Sequence, residues 1–361
     1  MLIYWILFAI FASFVALDYV KLYLPAYQKQ IILWALLLVM TLFAGLRYQS
    51  DNDYDTYVHV FDDSPTLLQL LQGQATLDDV YGEYLFGLIN ISIRSLAMPS
   101  AVMFSLVAFL TFYYLYKTIQ ALTLSPFAVL FLYVCMYFLA GGFTQIRFGL
   151  ATTMSWYGLA CLFKGRRLQA ALYVFVACFF HIGAIAAFAV FAIRYIRLNI
   201  WTVYGAILFA AFVATLNLTP VILGLLSRLL PSGRYDNYLV LEAYVTKANQ
   251  TGIYLNCILA VAFWETRRFY KGFNEWLFPF LMKTALLSLV FGAFFIQMAI
   301  ISRFGVLLQL VFIFIIPMLC GLQRLRYFLY APLIVYGMFR YAQFLNQDTG
   351  FIQAYKNVIT K

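Results

Sequence analysis

Acids and cations are spread so unevenly along this chain that they mark out one face for chemistry. Eight of its fourteen acidic residues, Asp51, Asp53, Asp55, Asp62, Asp63, Asp78, Asp79 and Glu83, fall in one short polar loop, and no Lys or Arg occurs from Tyr48 to Ile93. Arg47 precedes that loop, and Arg147, Arg234 and Arg303 follow it near the ends of apolar runs. A planar guanidinium meets phosphate oxygens at two points, so several arginines gathered at one membrane surface would hold a diphosphate. The plainer alternative is separate salt bridges to the acidic loop, or snorkelling to headgroups. Asp53 and Glu83, at the rim of a low-dielectric site, are candidate general bases. His181 stands alone in an apolar run, where a histidine is ordinarily hydrogen-bonded core; a helix break at that point makes it a third candidate. Tyr48, Tyr54, Tyr57, Tyr235 and Tyr238 lie on polar loops where their rings could stack against sugars. Asp62, Asp63, Asp78 and Asp79 read as solvated loop surface.

The elements that must position these groups are membrane helices. The chain has 361 residues, 65% hydrophobic and 11% charged, with a mean hydropathy of +0.87. Apolar stretches recur at the length needed to cross about 30 Å of hydrocarbon, without the alternation of an outer-membrane barrel. The fold class is all-α: a polytopic transmembrane helical bundle over residues 1–361, with no room for a separate soluble domain. The segment Leu2–Leu17 lacks a basic start and a small-residue cleavage site, so it reads as a transmembrane helix rather than a signal peptide. The net charge of +10 collects at helix ends as topology signals, not as a stripe for nucleic acid. Five scattered cysteines and two histidines form no ligand spacing, so neither a metal site nor a cofactor is expected. Patterns for serine hydrolases, zinc proteases and nucleotide loops are absent.

Basic clusters fix the orientation. Lys164, Arg166 and Arg167, then Arg267, Arg268 and Lys271, then Arg324 and Arg326 should be cytoplasmic, as should Lys21 and Lys29; Lys283 should snorkel to that face. The acidic loop at 47–83 and a second loop at about 219–251 are then outside, and so is the N-terminus. Parity makes Tyr84–Met98, with Glu83, Gly87, Asn90 and Arg94 along one face, a helix that does not cross. Parity also favours a hairpin over Leu168–Ile193 that turns at His181, carrying it about 20 Å deep; one long crossing helix is the competing view. The count is about ten crossings plus two partial or re-entrant helices.

In order, "LRYQSDNDYDTYVHVF", "EYLFGL", "FTQIRFGLA", "FFHIGAI" and "SRFG" resemble the EpsG-type branch of the Wzy-like bacterial polysaccharide polymerases, from about Ala44 to Gly305. One departure is Gln49-Ser50-Asp51-Asn52, where members commonly carry a Gly close to the Asp; this keeps Asp51 beside Asp53 as the relevant acid. The resemblance implies a metal-independent, cofactor-free glycosyltransferase on the outer face of the bacterial cytoplasmic (inner) membrane. It would lengthen an O-antigen, exopolysaccharide or capsule from undecaprenyl-diphosphate-linked glycans, alongside a chain-length regulator and flippase of the same pathway. Carried over by motif, Arg147 and Arg303 would hold the diphosphate with Arg47 assisting. His181, or else Glu83, would take the acceptor proton, and Asp53 would orient a hydroxyl or an arginine. Two other classes stay open: a flippase or exporter of lipid-linked oligosaccharide, which needs cations along a path to both faces, and a membrane O-acyltransferase using His181.

Overall fold

A computed structural model describes residues 1–19, 24–76, 83–193, 195–216, 218, 250–296, 302–322, 326–346 and 351–359. Lys21, Asp78, Asp79, Arg194, Arg234, Tyr235, Tyr238 and Arg324, and nearly all of the expected second outer loop at 219–251, lie outside the described residues. The helices in chain order are α1 (Leu2–Phe14), α2 (Ala16–Tyr19), α3 (Ala26–Gly45), α4 (Tyr54–Asp63), α5 (Leu67–Leu71), α6 (Tyr84–Ser95), α7 (Ser100–Leu122), α8 (Pro126–Tyr133), a π-helix (Val134–Thr144), α9 (Ile146–Phe163), α10 (Arg167–Cys178), a 3-10 stretch (Ile182–Phe188), α11 (Ala189–Ile193), α12 (Ile200–Val213), α13 (Gln250–Glu265), α14 (Phe273–Phe294), α15 (Ser302–Gln309), α16 (Phe312–Cys320) and α17 (Arg326–Leu345). Helix is what such a composition allows, because backbone in hydrocarbon must satisfy its own polar groups.

Among the described residues, six helical segments are long and apolar enough to cross a membrane: Leu2–Tyr19, Ala26–Gly45, Ser100–Leu122, Pro126–Thr144, Phe273–Phe294 and Ser302–Cys320. The chain is therefore an all-α, multi-pass membrane protein. Three other apolar helices, Arg167–Cys178, Ile182–Ile193 and Ile200–Val213, are shorter; the last of these takes up an apolar run counted among the ten crossings expected from the sequence.

The chain forms two units, Met1–Ala184 with Cys320–Lys361, and Ile185–Leu319. In the first, α9 is the central helix, packed against α7 and α10, and α7 packs in turn on α3. Phe104, Phe112, Phe138, Phe143 and Trp156 are fully buried there. In the second, α14 packs against α12, α13 and α15.

The acidic loop is more ordered than its composition suggests. Tyr54, Tyr57 and Phe61 recur at helical spacing and are the buried residues of α4, which leaves Asp55, Asp62 and Asp63 exposed. A capping box between Thr66 and Gln69 starts α5. Helix α6 has 12 residues, about 18 Å of rise, too short to cross. Its polar stripe faces protein: Gly87 and Asn90 are buried, and Arg94 donates to the Ser64 carbonyl.

Residues 351–358 form a strap along 46–52. The backbone N–H groups of Tyr48, Gln353 and Val358 donate to the carbonyls of Lys356, Ser50 and Leu46, each at 2.9 Å. Tyr355 stacks on Phe43 with centroids 4.2 Å apart, and the Tyr4 hydroxyl donates to the Gln353 carbonyl at 3.0 Å. The two ends of the chain thus close over the start of the acidic segment.

Candidate functional site

Arg147 owes its position to a backbone break. The π-helix ends at Thr144, Gln145 adopts φ −87° and ψ 66°, and α9 restarts at Ile146. Isolated π turns are frequent at functional sites, and this one runs for 11 residues. The bend closes because Gly149 lies directly on Gly141. A Cβ built on Gly149 would be 2.0 Å from the Gly141 carbonyl oxygen and 2.5 Å from its carbon. Arg147 is left in the first turn of α9, where its charge opposes the positive end of the helix dipole. Such a place suits a cation only when an anion is at hand.

The anion present is Glu83. Its Oε2 accepts from Arg147 Nη1 at 2.6 Å, with both side chains about a quarter exposed (24% and 23%). Tyr57 lies beneath the guanidinium, 5.7 Å from its ring centroid, and Phe86 is at 5.6 Å. Burial pushes the Tyr57 pKa up; the charge of Arg147 and its hydrogen bond to the hydroxyl oppose this, and the Asp53 charge adds to it. At neutral pH Tyr57 is therefore an uncharged acceptor for the guanidinium. Asp53 ends the cluster as the residue that begins α4.

His181 stands at a break, as expected. Helix α10 stops at Cys178 and the 3-10 stretch begins at Ile182. The Leu85 N–H donates to the Phe179 carbonyl at 3.1 Å, which docks the start of α6, next to Glu83, onto this break. The ring of His181 stands edge-on to Phe148, 5.2 Å away, and is buried. Its Nδ1 accepts from the Gly183 N–H at 3.0 Å. With that lone pair engaged, a neutral imidazole carries its proton on Nε2.

Arg47 is placed differently. It is fully buried, with Nε bound to Asp51 Oδ2 at 2.6 Å and Nη1 donating to the Ala44 carbonyl at 2.9 Å. Its guanidinium lies 4.4 Å from the Phe104 centroid and 5.1 Å from that of Phe143. Asp51 Oδ1 accepts from the Asp53 N–H at 3.1 Å, which ties the pair to the residue that starts α4. Burial raises the Asp51 pKa, opposed by the Arg47 charge and hydrogen bond. Arg47 is expected from the sequence to assist at the diphosphate, with a salt bridge to the acidic loop as the plainer alternative, and the structure places it in such a bridge.

Tyr54 and Tyr57, expected to stack on sugars, are buried. Tyr54 stacks on Phe104 at 5.0 Å and 13°, and Tyr57 meets Phe86 and Phe104 edge-on. Their rings are occupied by protein. Tyr48 is half-buried and lies edge-on to Tyr54 at 5.6 Å. Arg303, in the second unit, occupies the first turn of α15. Two residues on, Gly305 sits against Gly292: a Cβ there would be 3.0 Å from the Gly292 Cα. The same Arg-Phe-Gly sequence with a glycine-on-glycine contact thus occurs once in each unit. Among the described residues no group of three or more His, Cys, Asp or Glu is placed to hold a metal ion.

The EpsG family profile matches residues 30–357. No curated protein and no solved structure matches the chain.

Proposed function

The chain belongs to the EpsG family, and on that premise we propose that it is an integral-membrane glycosyltransferase that polymerises lipid-diphosphate-linked oligosaccharide units at the outer face of the bacterial cytoplasmic membrane. Membership in the family points to polysaccharide biosynthesis. The observation that carries the finer reading is the Arg147–Glu83 pair, set at the start of α9 with Tyr57 below it.

The chemistry follows from an exchange of partners. A diphosphate arriving at the start of α9 competes with Glu83 for Arg147, since both the helix end and the guanidinium favour the larger negative charge. Displaced from Arg147, the Glu83 carboxylate is free to accept a proton. An acceptor sugar hydroxyl then attacks the anomeric carbon of the donor and gives its proton to Glu83. The bond from that carbon to the diphosphate oxygen breaks, and the electron pair leaves on the diphosphate. Arg147 stabilises the charge that develops there, the usual dominant electrostatic term. His181 Nε2–H serves as a donor to the same anion, and Asp53 holds Tyr57 and the guanidinium in register. Arg303, in the second unit, has the same local build at the start of α15. Arg47 acts through Asp51 rather than by touching substrate.

Purified protein should lengthen an undecaprenyl-diphosphate-linked oligosaccharide with no nucleotide sugar added; an absolute requirement for a nucleotide sugar would overturn the reading. Arg147→Lys keeps the charge but loses the two-point contact. Losing one charge-assisted bond removes about 1.5–3 kcal/mol, so chain extension should fall roughly 10- to 150-fold while the melting temperature holds. Glu83→Gln should lose extension yet still bind lipid-linked substrate. A variant that binds and extends normally would exclude Glu83 as the base.

Orientation has its own test. A cysteine placed at the exposed Gln74 should react with an impermeant thiol reagent in intact spheroplasts, and one at the equally exposed Gly165 should not. Reversed labelling would turn the site to the cytoplasm.

A further inference from the structure

The second unit holds a feature that the candidate site does not use. An open groove of about 580 Å³ lies between the link before α12 (Tyr195, Arg197), the end of α13 (Trp264) and the first half of α14 (Phe278, Pro279, Lys283). We propose that this groove binds an anionic phospholipid, with its phosphodiester between Arg197 and Lys283.

Depth is the first argument. Trp201 and Trp276 are 84% and 79% exposed, in the first turns of α12 and α14, two helices that pack together. Exposed tryptophans at helix starts mark the headgroup level of a bilayer. Lys283 is seven residues beyond Trp276, about 10 Å further along the helix, inside a segment long and apolar enough to cross. An ammonium at that depth is costly unless it snorkels outward or meets an anion. The groove is where its stem can rise toward Arg197.

Charge is the second. Arg197, Arg267, Arg268, Lys271 and Lys283 flank this end of the unit, against Glu265 and Glu275. Glu265 is engaged, accepting from the Tyr204 hydroxyl at 2.7 Å with Arg267 at 3.9 Å. Arg267 in turn lies over the Trp264 ring at 4.1 Å, adding positive charge to the groove wall. The balance favours an anion.

The apolar walls select a lipid over a free phosphate. Phe278 and Trp264 form a buried floor, and Leu208, Phe209 and Phe212 of α12 leave apolar side chains 67%, 48% and 62% exposed. An acyl chain can lie along that flank while the headgroup meets the cations; inorganic phosphate gains nothing from it.

The test uses full-length protein stripped of lipid in neutral detergent, titrated with phosphatidylglycerol or phosphatidylcholine, with bound lipid counted by native mass spectrometry. Wild-type protein should retain phosphatidylglycerol in preference. Each cation near a headgroup contributes enough for about fivefold in affinity, so Arg197→Gln/Lys283→Met should bind phosphatidylglycerol about thirtyfold more weakly and phosphatidylcholine as before. If the double variant does not fold, Arg197→Gln alone, at an exposed link residue, should still show the fivefold loss. Equal retention of both lipids by wild-type protein, or undiminished binding by the variants, overturns the proposal. Full displacement of phosphatidylglycerol by inorganic phosphate would make this a site for small phosphates and overturn the lipid assignment.

Discussion

Gly149→Ala is expected to abolish polymer formation and to lower the melting temperature of the purified protein more than any other single methyl addition to the first unit. The new methyl would sit 2.0 Å from the Gly141 carbonyl oxygen, and a backbone carbonyl at the end of a helix cannot rotate aside as a flexible side chain could. Overpacking ordinarily costs about 1–3 kcal/mol; a clash with backbone belongs at or above the top of that range. The bend between the π-helix and α9 would have to open, and Arg147 two residues earlier would move away from Glu83 and Tyr57. Gly205→Ala is the control. It lies in α12 with nothing within 4 Å of the added Cβ, so it should be neutral or slightly stabilising through helix propensity. If Gly149→Ala melts and polymerises like the parent protein, the tight bend is not what positions Arg147.

How much of this was legible beforehand depends on the kind of signal. The all-α membrane class follows from apolar length alone, and the break at His181 from the parity of basic clusters. The grouping of Asp53, Tyr57, Glu83 and Arg147 was only half readable. The residues were singled out, yet nothing local reveals that the first turn of α9 returns to the start of α6, a contact 64 residues apart. Tyr54 and Tyr57 read as loop aromatics because eight acids surround them, and Phe61 completes their helical face. Their spacing of three and four was the helical signal, and it put the rings inside. The strap at 351–358 pairs through backbone groups with a segment some 300 residues earlier, and backbone pairing leaves almost no trace in side-chain pattern. The glycine-on-glycine contacts behave likewise. "FTQIRFGLA" and "SRFG" display their glycines, but only the bend shows why a methyl cannot replace the hydrogen.

The sharpest separation of scaffold from ligand comes from the Arg47–Asp51 pair. Asp51→Asn keeps the oxygen that accepts from the Asp53 N–H and removes only the charge, leaving a fully buried guanidinium without its anion. Breaking a buried pair on one side costs about 3–5 kcal/mol, whereas replacing both partners by neutral groups of similar volume is often close to neutral. Asp51→Asn should therefore melt well below the parent protein in detergent, and Arg47→Met/Asp51→Asn should recover most of that loss. Activity then decides the role of the arginine. Its head group is enclosed by Asp51, Phe104, Phe143 and the Ala44 carbonyl, so it reaches substrate only through Asp51 and the start of α4. A double variant that refolds and still extends the glycan within a few-fold of the parent makes Arg47 part of the frame that holds Asp53 and Tyr57 under Arg147. A double variant that refolds fully and has lost extension would instead require the guanidinium itself at the diphosphate, and with it a rearrangement that brings Arg47 out of its buried pair.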